Sequence, residues 1–85
     1  MQSVIVYPVI SMKLTDAKMK KYYRITNLEF DRISEKRMIC MGMYPGACIS
    51  IERKNQSKAV MLVYVCGNLI MLRYRDAQGI EVELL

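Results

Sequence analysis

Met38-Ile39-Cys40-Met41-Gly42-Met43-Tyr44-Pro45-Gly46-Ala47-Cys48-Ile49-Ser50-Ile51 is the stretch that decides the fold. It reads as the end of a helix, a sharp reversal and a strand. Gly42 stands where a left-handed residue closes a helix, because only glycine enters that region without a Cβ clash. Pro45-Gly46 supplies the fixed φ and the permissive φ of a type II turn. Ile49 and Ile51 then alternate with Ser50 and Glu52, the period of a half-buried strand.

Upstream of this reversal, Asp31 is suited to cap a helix that runs to about Met41, and Glu35 near its start suits the helix dipole. Phe30, Ser34, Met38 and Met41 fall on one side at helical spacing, with Lys36 in water. A first strand is expected over residues 21–27, with Tyr23 and Ile25 on one face and Tyr22 and Arg24 on the other. Before it, Thr15 can accept a hydrogen bond from a following backbone N–H and start a single helical turn.

Downstream, a strand is expected over residues 47–53, a polar loop over 54–58 and a further strand over 60–66. Gly67-Asn68 lies between two apolar runs and predicts a two-residue II′ hairpin turn into a strand over 69–74. Residues 75–79 form a short turn. Ile80, Val82 and Leu84 then face one way, with Glu81 and Glu83 facing the other. Five short strands and one helix between the first two predict a mainly β chain, built as a small, partly open barrel. Residues 13–85 form this domain. Residues 1–12 precede it as an apolar extension, in which Val4 to Ile10 has the composition of a strand.

A domain of 85 residues buries only about 60 to 65% of the surface its unfolded chain exposes, so its core must be simple. The 53% apolar content is ample for that, and the 25% charged content argues against disorder. His and Trp are absent, and no phosphate-binding glycine loop or nucleophile elbow is present, so the inventory points away from catalysis. No apolar run approaches the roughly 18 residues that a bilayer span needs, and no cation precedes Val4, which predicts a cytosolic protein without a leader.

The two ends of the core region carry a family resemblance. A helix ending in Met-Gly-Met, then Pro-Gly and an alternating strand, is similar to FeoA, the small accessory protein of bacterial ferrous-iron uptake. Leu72-Arg73-Tyr74-Arg75-Asp76-Ala77-Gln78-Gly79-Ile80-Glu81-Val82-Glu83 is similar to that family's closing pattern, and Leu14-Thr15-Asp16-Ala17 resembles its opening. The likeness spans roughly Lys13 to Glu83. It implies an SH3-like barrel and transition-metal-ion binding at the level of the family. It also implies action by contact with the membrane GTPase permease FeoB, at the inner face of the membrane. Two departures stand out. The turn expected before the first strand lacks glycine, and residues 54–59 lack the Gly-Asp-Pro that many relatives carry.

Cys40, Cys48 and Cys66 are the weak candidate metal ligands. Their spacings of eight and eighteen residues fit no zinc module, and with no His beside them they are expected to be buried, unpaired thiols. Met41 and Met43 are expected to fill the core and the helix terminus. No cofactor is expected.

The net charge of +5 is concentrated: Lys13, Lys18, Lys20, Lys21 and Arg24 face a single acid, Asp16, between residues 13 and 24. Such a segment steers an acidic partner or forms an ordinary solvated face. The run over residues 60–66 is apolar on both faces: either the helix and the leading segment cover its outer face or part of it meets another protein, with Met61 and Val63 as candidates. Met43 and Tyr44 at the reversal either plug an end of the barrel or form a second contact, and Lys18, Lys20 and Lys21 are the candidates in the basic segment. The expected role is a non-enzymatic accessory of ferrous-iron uptake that binds FeoB. Two alternatives are a small basic barrel that binds nucleic acid and a stand-alone relative of the C-terminal barrel of metal-dependent repressors.

Overall fold

The reversal folds as its residues dictate. In the computed structural model, which describes residues 11–55, 57 and 59–85, helix α1 spans Arg32–Cys40 and ends in paired left-handed-cap hydrogen bonds. The Gly42 N–H donates to the Ile39 carbonyl at 3.0 Å and the Met43 N–H to the Met38 carbonyl at 2.9 Å, with Gly42 at φ +92°. Met38 and Met43, the residues this cap brings together, are both buried. At the other end Asp31 accepts from the Ser34 N–H at 2.8 Å, which holds its carboxyl below the usual range. The Ala47 N–H donates to the Tyr44 carbonyl at 2.9 Å across Pro45-Gly46, with Gly46 at φ +99°.

Strands β1 (Met12–Lys13), β2 (Tyr22–Leu28), β3 (Cys48–Lys54), β4 (Val60–Val65), β5 (Asn68–Arg73) and β6 (Ile80–Leu84) form one antiparallel sheet in the order β1-β6-β2-β3-β4-β5. The chain is mainly β, as expected. Among the described residues the sheet does not close, and β1 and β5 are its edges. β1 is a sixth strand beyond the five expected: Met12 and Lys13 pair with Val82 and Glu81. The apolar run Val4 to Ile10 lies outside the described residues.

Curling the sheet gathers one face into a core. Ile25, Ile49, Ile51, Val63, Val65 and Val82 are at most 1% exposed, with Leu14 and Met43 plugging from outside the strands. Ser50 is the single polar side chain among the buried described residues. The turn at Leu14–Asp16 forms, but Lys13 occupies its N-cap and no side chain caps it, so Thr15 does not play the expected part. Instead Lys54 reaches across, its Nζ donating to the carbonyls of Thr15 at 3.0 Å and Ala17 at 2.7 Å.

Two further expectations are corrected. The β4–β5 hairpin turns on Cys66-Gly67, at φ +50° and +83°, with Val65 paired to Asn68. Positive φ at both central positions makes it a I′ turn, one residue earlier than the II′ turn expected at Gly67-Asn68. The turn after β5 begins with a short helix, α2, at Tyr74–Ala77, which seats Ala77 in the core.

Candidate partner-binding surface

The parity of β4 is set by its neighbour. Ile49 pairs with Val65 and Ile51 with Val63, so Met61, Val63 and Val65 point inward beside the isoleucines and are at most 1% exposed. Met61 and Val63, expected as partner contacts, are core residues. So is Met43, because the helix cap turns it inward. The side of β4 that meets solvent carries Leu62 and Tyr64.

The register then lays a row across the outer face: Tyr22 opposite Ser50, Ser50 opposite Tyr64, and Tyr64 opposite Leu69. Tyr22 is 64% exposed, Tyr64 43% and Leu69 58%, whereas the small Ser50 between the two rings is 5% exposed. A bulge at Glu52 shifts the register, and a second row follows with Arg53 opposite Leu62 and Leu62 opposite Met71. Arg53, Leu62 and Met71 line an open groove of about 580 Å³. Aromatic rings and flexible apolar side chains set around a small polar floor form a surface suited to binding another macromolecule.

Tyr44 stays at the surface beside this face. The Cys66 thiol approaches its hydroxyl at 3.7 Å and the Gly42 carbonyl at 3.6 Å. That contact, above all the hydrogen bond, pushes the Tyr44 phenol above its ordinary value. All three cysteines are exposed, against the expectation of burial. The reason is position: Cys40 ends α1, Cys48 opens β3 on the outer face opposite Arg24, and Cys66 occupies a turn. No three Cys, Asp or Glu side chains gather into a metal-holding group among the described residues.

Lys18, Lys20 and Lys21 are exposed. Lys20 adopts φ +64°, its N–H donating to the Ile51 carbonyl at 3.0 Å and its Nζ meeting Glu52 at 2.8 Å. Arg24 lies 3.6 Å from Glu83. Two of the basic segment's cations are thus matched by acids on the neighbouring strands. A second concentration of cations is not contiguous in sequence: Arg37 of α1, Arg73 of β5 and Arg75 of α2 line a groove of about 320 Å³ with Ser34 and Asp76.

Comparison with known proteins agrees with this architecture. The chain matches the FeoA domain family over residues 12–84. Its structure superposes on iron(II) transport protein A from Clostridium thermocellum with a TM-score of 0.82 at 30% identity, over 87% of this chain and 46% of that one. It superposes on the FeoA protein of Chlorobium tepidum with a TM-score of 0.81 at 26% identity, over 87% and 70% of the two chains. IdeR of T. acidophilum gives 0.77 at 24% identity over 95% of this chain and 37% of that one, a likeness of fold alone. No curated protein matches the chain. No described helix is long and apolar enough to cross a membrane. The fold is the SH3-like barrel also found in the C-terminal domains of metal-dependent repressors, and the chain belongs to the FeoA domain family, the accessory proteins of ferrous-iron transport.

Proposed function

We propose that this protein serves ferrous-iron uptake by contact, binding the cytosolic part of a FeoB-type GTPase permease through the outer face of β2, β3 and β4. The proposal places it in the cytoplasm, held at the inner membrane by that partner, with no reaction of its own. Family membership supports the pathway, and the row Tyr22–Ser50–Tyr64–Leu69 carries the mode of action. Interface energy concentrates in a few aromatic anchors, and two tyrosines flanking a shallow polar floor offer them.

Pull-down or calorimetric titration of the permease's cytosolic domain tests this. The paired substitution Tyr22→Ala with Tyr64→Ala should weaken binding at least about tenfold, since truncating a central aromatic anchor costs upward of ~2 kcal/mol. Lys20→Glu with Lys21→Glu should slow association more than it speeds dissociation. Equal retention of every variant, at unchanged stability, overturns the assignment of this face.

A further inference from the structure

The two edges of the sheet are unlike. β1 ends it with two residues, the usual way of blunting an edge. β5 ends it with six, Asn68–Arg73, in an unbroken register with β4 from Val60↔Arg73 to Val65↔Asn68. No proline, bulge or charge interrupts it before Arg73. Such an edge is a template for another strand unless it has an occupant of its own.

The hydrogen-bonding direction along β5 follows from its ends. Asn68 closes a two-residue hairpin with Val65, and the Tyr74 N–H donates to the Ala59 carbonyl at 2.9 Å. Even-numbered residues therefore turn their backbone groups toward β4, and Leu69, Met71 and Arg73 turn theirs outward. Those same residues project side chains from the outer face, with Leu69 58% and Met71 68% exposed. Beyond the sheet order, no described strand pairs with this edge.

Charge identifies the class of occupant. The edge runs between the two grooves, and Met71 lines both. One contributes Arg53 and Lys54, the other Arg37, Arg73 and Arg75, against the single acid Asp76. A second copy of this chain, paired edge to edge, would bring two such cationic sets together. An extended segment with acidic side chains would instead neutralise them while its backbone pairs with Leu69, Met71 and Arg73, its acids sharing the outer face with Arg53 and Arg73 and its alternate apolar side chains extending the inner face beside Ile70 and Leu72. We infer that the outer edge of β5 takes up an acidic, extended peptide of a partner protein by strand addition. The inference rests on the reading of this domain as a binding module, and names a recognition chemistry for it.

Amide-resolved NMR titration of the full chain at low ionic strength tests it with a capped synthetic peptide of about six alternating Val and Glu residues, the usual length of a strand. Saturable shifts and slowed exchange are expected at Leu69, Met71 and Arg73, with none for a matched Val/Lys peptide. Backbone N-methylation of the Val/Glu peptide on its pairing side removes donors without altering the protein, and should weaken binding about tenfold or more, two hydrogen bonds at ~1 kcal/mol each. Arg37→Glu with Arg73→Glu should do likewise. Absence of saturable binding, indifference to N-methylation, or shifts centred on Lys18 to Arg24 overturns the inference. So does slow exchange of the three amides in the free chain, which would mean that a second copy or residues 1–10 already cover the edge. Because no permease is present, the titration stands or falls separately from the pull-down above.

Discussion

Lys54 Nζ lies 2.7 Å from the carbonyl oxygen of Ala17, thirty-seven residues away in the chain, and makes the end of β3 the clasp of the leading turn. Ala17 is buried, and the ammonium supplies donors to the carbonyls of Thr15 and Ala17. Lys54→Met keeps the aliphatic stem and removes both hydrogen bonds. The domain should lose about 1 kcal/mol, less than for a fully buried charge-assisted bond because Lys54 is partly solvated. The urea midpoint should fall at unchanged slope, and the amide of Ala17 should exchange faster.

Gly79 should tolerate no side chain. A Cβ there would lie 2.6 Å from the Phe30 ring and 2.9 Å from the Glu29 carbonyl oxygen, while the Glu29 N–H donates to the Gly79 carbonyl at 2.7 Å. The ring can swing aside, but the backbone is tied by that hydrogen bond. Gly79→Ala should cost about 1–3 kcal/mol through overpacking, read as a lowered thermal midpoint.

The pH dependence has a separable carboxyl component. Glu29 beside Glu81 raises the Glu81 carboxyl above its usual range, chiefly through the hydrogen bond of the protonated form, then through desolvation and like charge, with Lys13 opposing. A raised value in the folded state gives stability that is full below the ordinary carboxyl range, about 4.5, and lost as pH rises through the folded value. Glu81→Gln should therefore raise the thermal midpoint at neutral pH and change it little at pH below about 4. Asp31 has the opposite sign: its lowered carboxyl contributes above its unfolded value and loses that contribution as pH falls through the folded one. Asp31→Ala should flatten the acid limb of the same curve.

Cys66 holds φ +50° in the I′ turn, a conformation that costs most L-residues roughly 1 kcal/mol and suits asparagine. Cys66→Asn should raise the urea midpoint. It should also bring the Tyr44 phenol back toward its ordinary value, visible by ultraviolet titration, because the thiol contact at 3.7 Å is gone.

What was legible in the sequence was whatever local chemistry decides alone. Gly42, Pro45-Gly46 and Asp31 each have one good use, and all take it. Misreadings fell where a residue permits two answers and a distant partner chooses. Gly67 serves equally as the first residue of a II′ turn or the second of a I′ turn, and the β4–β5 register selects the second. The run Val60 to Val65 has no polar alternation, so only its pairing with Ile49 and Ile51 sets Met61 and Val63 inward and Tyr64 outward. The arginine groove joins residues from α1, β5 and α2, and no spacing in the sequence announces it.

The left-handed glycines at 42 and 46 bracket Tyr44 between two hydrogen-bonded corners. Its backbone is therefore already fixed before any encounter, and the Cys66 thiol restrains the far end of the ring. A protein that docks against this tyrosine would have little disorder to freeze out, so mutating either corner should erode affinity through entropy while leaving the contact chemistry intact.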